Sequence, residues 1–415
     1  MKMSEVKKSV YERDWPRKGV IMQSTMRDTL KGIKVVAFVR AMAGTAAAKV
    51  LAEYGAEVFF VEPVKGHPLR KMHYFEISHG YFKSIPINPR DKKGLELMHK
   101  LIADSDVFIS NYRLKALKNM KLDYESLCEK YPRLVHATVT GYGPNGPMKD
   151  APGFDITAFW ARAGIINDVM DRDSDPLIAP AGMGDVDTGK SLALGIVSAL
   201  FAREKTGKGM KVYSSLYAQG LYLNHAQIID QQYGMKYPKT RKDPGRAMKN
   251  SFKCKDGWVQ AMTLDFDKDF NHFLEAIGRK DLIGDPRWTC MADTEGEKAI
   301  ELTAIFDEAF AKLTVEEAVR NFEAYDMAIS AYYPGLFSVT DEQAEANGYY
   351  QDITREDGKK IRIPASPVKF GDDAPCARTD VTVFGGATRE IMKRYGYSGE
   401  EIQSYIDDGI VISAD

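Results

Sequence analysis

The feature that most constrains this chain is an alternation of short apolar runs with helical patterns, which begins at Gly32. The run GIKVVAFV is rich in β-branched residues, and AGTAAAKVLAEYG after it has the pattern of a helix that ends at Gly55. A second apolar run, AEVFFVEP, follows, and helix and strand patterns then alternate again up to residue 143. Repeated units of this length predict an α/β fold in which helices cover a parallel, Rossmann-like sheet.

Changes in composition along the chain predict four parts. Residues 1–30 are charged throughout and are interpreted as a polar N-terminal extension, and residues 31–237 form the large Rossmann-like domain. The polar stretch PKTRKDPGR then begins a smaller α+β domain over residues 238–335, which contains a hairpin in SFKCKDGWVQAM. Residues 336–415 are expected to contain a second hairpin and one last helix, TREIMKRYG, and to return to the large domain.

The composition excludes several classes of protein. The 57 Lys and Arg residues are balanced by 58 Asp and Glu residues, so the net charge provides no basic field for nucleic acid or for an anionic membrane. No apolar run reaches the roughly 18–20 residues that span a bilayer, and the charged N-terminus is unlike a signal peptide. Neither the four cysteines nor the seven histidines have the spacing of metal ligands. We expect a cytoplasmic protein without a metal site.

Ligands of such sheets bind in the loops that follow the strands. Here these loops fall near residues 41–45, 62–70, 111–113 and 141–146. The first of them, RAMAGTAAA, has one glycine where dinucleotide-binding proteins have GxGxxG. A nicotinamide cofactor is therefore disfavoured.

A short motif, GDVDTGKS at residues 184–191, matches the phosphate-loop pattern G-x-x-x-x-G-K-[ST]. A P-loop NTPase is nevertheless the least favoured alternative, because Asp185 and Asp187 would lie inside the anion cradle and repel a phosphate. The same residues suit the N-terminus of a helix predicted over residues 189–204, where aspartate and threonine are favoured caps. There the helix dipole would favour the ionised form of Asp185, and an accessible carboxylate can act as a nucleophile.

Three segments, taken in order, resemble class III CoA-transferases, the formyl-CoA and carnitine CoA-transferase family. They are GIKVVAF…GTAAAKVLAEYGAEVFFVEP, VTGYGPNGPMKDAPGFDITAFWARAGI and GMGDVDTG…REKTGKGMKV. Within the second, PGFDITAFWARAGI resembles the branch that acts on 2-hydroxy acids in amino-acid-fermenting anaerobes, such as phenyllactate and 2-hydroxyisocaproate CoA-transferases. The resemblance implies an interlocked homodimer whose substrates are a coenzyme A thioester and a carboxylic acid, with no permanently bound cofactor.

The family's nucleophile is the aspartate that follows glycine in the GD motif, which is Asp185 here. The resemblance implies that Asp185 takes the acyl group of a short acyl- or enoyl-CoA as a mixed anhydride and releases CoA thiolate. The thiolate returns to give an aspartyl-CoA thioester. CoA finally passes to the acceptor, a carboxylic acid that the resemblance implies to be a 2-hydroxy acid.

The resemblance also implies which residues surround the substrates. The residues expected to contact CoA are Ala41, Met42, Arg70, Lys83, Asn111, Tyr112 and Tyr142. The candidates for the substrate pocket are Phe154, Phe159, Trp160, Tyr217 and Gly184, and a core role is an equal alternative for the aromatic ones. Two positions that are basic in the family carry Phe82 and Asn119 here, which weakens the predicted phosphate site.

Two further alternatives remain open. The 2-methylacyl-CoA racemases share this architecture and use the same aspartate as one of two bases, with a histidine partner just before the aspartate of a GHD segment. That segment is Gly153-Phe154-Asp155 here, and because phenylalanine cannot take a proton, the transferase is favoured. A non-catalytic CoA-binding homologue is the other alternative, and the loss of the two basic residues favours it.

Overall fold

The computed structural model describes residues 29–172, 174–355, 358–371 and 382–414. Nearly all of the predicted N-terminal extension, residues 1–28, lies outside the described residues, and so does Cys376. The other three cysteines are free thiols.

The predicted alternation of strands and helices is present in the first half of the described chain. In chain order its elements are β1 (Lys34–Phe38), α1 (Met42–Glu53), β2 (Glu57–Glu62), α2 (Phe75–His79), β3 (Phe82–Pro86), α3 (Lys92–Ala103), β4 (Val107–Ser110), α4 (Leu114–Asn119), α5 (Tyr124–Cys128), β5 (Val135–Thr140), α6 (Ile165–Val169), α7 (Met183–Thr206), β6 (Lys211–Ser215), α8 (Leu216–Leu223) and α9 (His225–Gln232). A π-helix, Asp155–Ala161, precedes α6.

Strands β1 to β6 form one parallel sheet in the order β3-β2-β1-β4-β5-β6. The strand order reverses between β1 and β4, so the loops that leave these two neighbours diverge and open a crevice at their carboxyl ends. The prediction of a parallel, Rossmann-like sheet is confirmed. In a sheet of this order the crevice lies beside the start of α1.

Successive residues of each strand point to opposite faces, which gives the sheet two apolar layers. Val35 and Ala37 of β1 belong to the layer that contains side chains of α1 and α7. Val36 belongs to the layer that contains side chains of α3. The second layer also includes Ile391 and Val411, so the end of the chain packs against the same face of the sheet as α3.

The rest of the described chain forms two smaller sheets and further helices. These elements are β7 (Lys249–Lys253), β8 (Trp258–Met262), α10 (Phe266–Ala276), α11 (Gly296–Phe310), α12 (Val315–Glu323), β9 (Ala328–Ala331), α13 (Glu342–Ala346), β10 (Tyr350–Thr354), β11 (Lys360–Pro364), α14 (Thr388–Arg394) and α15 (Gly399–Asp407). Both predicted hairpins are confirmed, as β7–β8 and β10–β11. The expectation of one last helix is wrong, since α15 follows α14. The domain boundaries remain predictions.

Candidate active site

The residues that lead into α7 place Asp185 in the first turn of a long helix. Gly182 is the N-cap and has a φ of 88°, a left-handed conformation that glycine adopts without strain. The helix begins at Met183 rather than at residue 189. Its N-cap is a glycine, which has no side chain to bond to the helix start, so the expected Asp or Thr cap is wrong. Residues 184–191 are all helical and cannot form a phosphate loop, which removes the NTPase alternative.

Small residues allow α7 to approach α1 closely. A Cβ atom on Gly189 would lie 2.5 Å from Ala46 Cβ and 2.7 Å from the Ala43 carbonyl oxygen, so glycine is required at this position. The approach brings the half-buried Asp185 to the first turn of α1, where the backbone N–H of Ala43 stabilises its ionised form. Because α1 follows β1 directly, Asp185 lies at the carboxyl edge of the sheet.

A second aspartate supports the first turn of α7 from another segment. Asp155 is the first residue of the π-helix and is 4% exposed. Its Oδ2 accepts a hydrogen bond from the backbone N–H of Gly182, one of the donors that a helix start leaves without an intrahelical partner. From the sequence, Asp155 bore only on the racemase alternative, and this contact was not predicted. The sequence feature that could have indicated this contact is an aspartate at the end of a Gly- and Pro-rich loop.

The protonation of the two carboxyl groups differs from the expectation. Burial raises the pKa of Asp185 to about 7, the charge of Asp155 adds to the rise, and the Ala43 N–H opposes it. Burial also raises the pKa of Asp155, against hydrogen bonds from backbone N–H groups that begin α7. The expectation that the helix start keeps Asp185 ionised is therefore wrong, because near neutral pH both of its forms are populated. A pKa near the working pH is typical of groups that take part in reactions.

Gly184 is packed against the Asp155 carboxylate and an aromatic ring. A Cβ atom at this position would overlap the Asp155 carboxylate and the Phe159 ring. Phe159 is 2% exposed and belongs to the apolar layer of α1 and α7. Two of the five predicted pocket residues therefore have structural roles: Phe159 is a core side chain beneath the site, and Gly184 permits the close packing that positions Asp155.

The other predicted aromatic residues differ in their surroundings. Tyr142 covers Gly153, since a Cβ atom on that glycine would lie 2.9 Å from Tyr142 Cε2, and its ring centre is 6.4 Å from that of Tyr217. Phe154 is 66% exposed, and Trp160 is half-buried with its ring 5.7 Å from that of Phe159. Phe154 is therefore available to a ligand from the solvent side, whereas the two tyrosines are half-buried and pack against the core.

Three of the residues predicted to contact CoA lie at the crevice between β1 and β4. Ala41 is the N-cap of α1, and the Met42 side chain lies against Gly182, where a Cβ atom would be 2.9 Å from Met42 Cε. Asn111 Oδ1 accepts a hydrogen bond of 2.8 Å from the backbone N–H of Arg40 and so joins the ends of the two strands. The structure thus places Ala41 and Met42 beside the first turn of α7.

Tyr112, also predicted, interacts electrostatically with two arginines that were not identified from the sequence. Its ring stacks on Phe38 with centres 4.0 Å apart and an angle of 7°. Burial raises the pKa of Tyr112, and the positive charges of Arg40 and Arg90 oppose the rise. Both arginines are exposed, and neither forms an ion pair with another described residue. The sequence feature that could have indicated these arginines is a basic residue in the loop after each of strands β1 and β3.

Arg70, predicted to contact CoA, is held by a buried carboxylate. Its guanidinium donates to Glu62, a fully buried residue at the end of β2, over 2.8 and 2.6 Å, and to the Thr382 carbonyl over 3.0 Å. Ser84 also donates to Glu62 and accepts from the Gly385 N–H. Arg70 therefore ties the C-terminal segment to the sheet, and its donors are engaged within the protein.

Lys83 lies in an ion-pair network at the other edge of the sheet. Its Nζ is 3.0 Å from Glu57 and 2.6 Å from Glu390, and Glu57 also pairs with Arg394. Glu57 is the first residue of β2, so the network lies at the amino ends of the parallel strands. The structure does not bring Lys83 to the crevice, and we do not retain it among the proposed CoA contacts.

Among the residues that the structure describes, no three His, Cys, Asp or Glu side chains lie together in a way that could hold a metal ion. None of the described helices combines the length and the apolar character needed to cross a membrane.

Solved structures show the same fold. A CAIB/BAIF family protein from Brucella suis superposes with a TM-score of 0.75 and 24% identity, covering 88% of this chain and 99% of that one. Rv3272 from Mycobacterium tuberculosis superposes with a TM-score of 0.76 and 24% identity, covering 86% and 97%. The α/β class predicted from the alternation of elements is therefore confirmed.

The sequence profile of CoA-transferase family III matches residues 30–380. The chain belongs to this family and is an enzyme of the CoA-transferase class, as its motifs implied. The preference for a transferase over a racemase, an NTPase or a non-catalytic homologue is thus confirmed.

Similarity to individual relatives extends over most of the chain. (R)-2-hydroxy-4-methylpentanoate CoA-transferase of Clostridioides difficile is 33% identical over 92% of this chain and 99% of that protein. Cinnamoyl-CoA:phenyllactate CoA-transferase of Clostridium sporogenes is 32% identical over 91% and 96%. Formyl-CoA:oxalate CoA-transferase of Escherichia coli O157:H7 is 26% identical over 91% and 98%.

The packing at Gly184 leads to a first prediction. Gly184→Ala should lower the free energy of unfolding by about 1–3 kcal/mol, because the new methyl group must displace the Asp155 carboxylate and the Phe159 ring. Gly399→Ala in α15 is the matched control, since nothing lies within 4 Å of the added carbon there. Denaturant unfolding measures both, and equal stabilities would contradict the close packing.

Proposed function

We propose that this enzyme transfers CoA from a short acyl- or enoyl-CoA to a 2-hydroxy acid, with Asp185 as the acyl acceptor. The observation that carries the proposal is a half-buried carboxylate with a pKa of about 7, at the junction of α1 and α7 beside the crevice of the sheet. Two relatives that are about a third identical support the choice of acid, because 2-hydroxy-4-methylpentanoate and phenyllactate are both 2-hydroxy acids with an apolar side chain.

The proposed reaction exchanges one thioester for another. An oxygen of ionised Asp185 bonds to the thioester carbonyl carbon, and the C–S electron pair leaves with CoA thiolate, which produces a mixed anhydride. The thiolate then attacks the aspartyl carbonyl carbon, releases the donor acid as a carboxylate and leaves an aspartyl-CoA thioester. The acceptor carboxylate attacks the aspartyl carbonyl carbon, displaces CoA as thiolate and forms a second mixed anhydride. The thiolate finally attacks the acceptor's carbonyl carbon, which produces the acceptor's CoA thioester and frees the Asp185 carboxylate. Backbone N–H groups in the first turns of α1 and α7 are suited to stabilise the oxyanions.

Asp185 provides the direct test. Asp185→Asn should lower turnover by at least about a thousandfold, because an amide cannot form the anhydride. In the wild type, hydroxylamine added after acyl-CoA should leave a hydroxamate at residue 185, which peptide mass spectrometry detects. Asp187→Asn is the matched control on the same helix, since Asp187 binds Gln219 and Lys190 instead. Full turnover by Asp185→Asn would contradict the proposal.

The acceptor class is tested in the same assay with two acids that differ by one group. With 2-hydroxy-4-methylpentanoate and 4-methylpentanoate as acceptors, kcat/KM should be higher for the hydroxy acid, because a site with a partner for the hydroxyl leaves that partner unpaired when the hydroxyl is absent. Equal kcat/KM values would remove the 2-hydroxy preference and leave the transferase assignment intact.

The contacts to CoA that we propose are Ala41, Met42, Asn111 and Tyr112 at the crevice and Tyr142 in the loop after β5, together with the two missed arginines, Arg40 and Arg90. The arginines support a phosphate site because they are exposed, both act electrostatically on Tyr112, and neither has a carboxylate partner among the described residues. Guanidinium groups form strong, charge-assisted hydrogen bonds to phosphate.

Substitution of these arginines should weaken binding of full-length CoA thioesters only. We expect Arg40→Gln and Arg90→Gln each to raise KM for acyl-CoA about tenfold, because each removes a contact to a phosphate group. With a thioester of N-acetylcysteamine, which has no phosphate, the variants and the wild type should have equal KM values. Lys83→Gln serves as the control at the other edge of the sheet. A rise in KM that is the same for both thioesters would contradict a phosphate contact.

We also propose that a second copy of the chain is a partner and that the enzyme works in the cytoplasm. Large apolar side chains are exposed along one face of α7 and on the neighbouring helices, with Leu194 at 69%, Phe201 at 67% and Tyr222 at 76% exposed. Extended apolar surface of this kind supports an interface rather than a surface in contact with water.

The state of assembly is measured by light scattering coupled to size exclusion. The wild type should have the mass of a dimer, and the double substitution Leu194→Glu with Phe201→Glu should produce monomers or aggregates, because two charges would be buried without partners. Ile300→Glu on α11, which is also exposed, should leave the dimer unchanged. A monomeric wild type would contradict the proposal.

A further inference from the structure

Asp155 is a buried carboxylate that the proposed reaction does not use as its nucleophile. It is 4% exposed, with one oxygen bonded to the N–H of Gly182 and the other buried next to Gly184. Removing a carboxylate from water is unfavourable, so a buried carboxylate that bonds to the first turn of α7 requires an explanation.

We propose that Asp155 is a positioning residue that acts on Asp185 in two ways. Its hydrogen bond to Gly182 holds the first turn of α7 in place, and its negative charge opposes the charged form of Asp185. This inference rests on the proposed function, since it assigns Asp155 a part in the acylation of Asp185.

The elements packed against Asp185 present few other charges. On α7 itself, Asp187 and Lys190 pair with each other at 3.8 Å, and α8 contributes the uncharged Gln219, which donates to Asp187. The charges of α7 and α8 near the site are therefore paired, whereas the π-helix contributes Asp155.

The remaining neighbour, α1, contributes backbone N–H groups rather than charged side chains near its start. Its described charged residues, Lys49 and Glu53, lie two or more turns into the helix and pair at 2.8 Å. Arg40, in the loop before α1, is exposed, and its charge acts on Tyr112 and His67. Asp155 is thus the charge that acts on the nucleophile.

The repulsion between the two carboxylates changes during the reaction. Ionised Asp185 carries a negative charge, whereas its anhydride and its CoA thioester are neutral, and the charge leaves with CoA thiolate. Repulsion from Asp155 is therefore present before the attack and absent afterwards. This difference favours the acylated form of Asp185 over its free carboxylate. The same repulsion raises the proton affinity of the attacking oxygen, and a more basic oxygen is the better nucleophile.

The test isolates the charge of Asp155 from its hydrogen bond. Asp155→Asn keeps an oxygen that can accept from the Gly182 N–H and removes the charge, whereas Asp155→Ala removes both. A single turnover with acyl-labelled CoA thioester and no acceptor, stopped by rapid quenching, measures release of the labelled acid between pH 5 and 9. The wild-type rate should rise with pH through a midpoint near 7, since only ionised Asp185 attacks.

We expect two changes in Asp155→Asn. The midpoint should fall by about one pH unit or more, as when a like charge is removed beside a carboxylate, and the rate at high pH should fall several-fold. Asp269→Asn is the control, since Asp269 is also buried but binds Thr263 in another part of the fold, and its midpoint should equal that of the wild type. Asp155→Ala should lower Tm more than Asp155→Asn does.

The remaining outcomes distinguish a failure of the proposal for Asp155 from a failure of the proposed function. An unchanged midpoint in folded Asp155→Asn would overturn the proposal for Asp155, whereas a wild type that releases no labelled acid would overturn the proposed function instead. If Asp155→Asn does not fold, the reciprocal effect is measured in Asp185→Asn by infrared titration of the carboxyl bands. Loss of the Asp185 charge must then lower the pKa of Asp155, because coupling between two sites is mutual. No change there would also overturn the proposal.

Discussion

The distance between α1 and α7 is the constraint on which this enzyme's site depends. Gly189 lies directly against the backbone of α1, and a side chain there would push the two helices apart. The close approach places Asp185 against the first turn of α1, so a residue from a later part of the chain reaches the carboxyl edge of β1. Burial and the nearby Asp155 destabilise its charge, and the backbone N–H of Ala43 stabilises it. The balance leaves a carboxylate that can be either ionised or protonated near neutral pH.

Much of the fold could be predicted from sequence because its signals are local. The alternation of apolar runs and helical patterns after Gly32 was sufficient for the parallel sheet, and turn residues were sufficient for both hairpins. The start of α7 was predicted too late, because its N-cap is a glycine bonded by a carboxylate 27 residues earlier in the chain. The final helix was missed although Ser398 and Glu401 form a capping box at its start.

The candidate site could be predicted only in part. The position of Asp185 followed from the GD motif, but its protonation depends on burial, which a single sequence does not display. Arg70 and Lys83 were assigned by resemblance, yet their partners come from other strands and from the end of the chain. The arginines beside Tyr112 escaped notice because each stands alone in its loop, and only the fold brings them together.

The tie between Arg70 and the end of the chain has a consequence for biosynthesis. The buried Glu62–Arg70 pair is completed by the Thr382 carbonyl, and Ile87, just past the end of β3, pairs with Val411. Both of these late contacts are synthesised after all six strands of the parallel sheet. Before they emerge, the edge strand β3 lacks its partner at Ile87, and the Glu62–Arg70 pair is more exposed to water. This edge of the sheet is therefore completed after the strands that form the crevice.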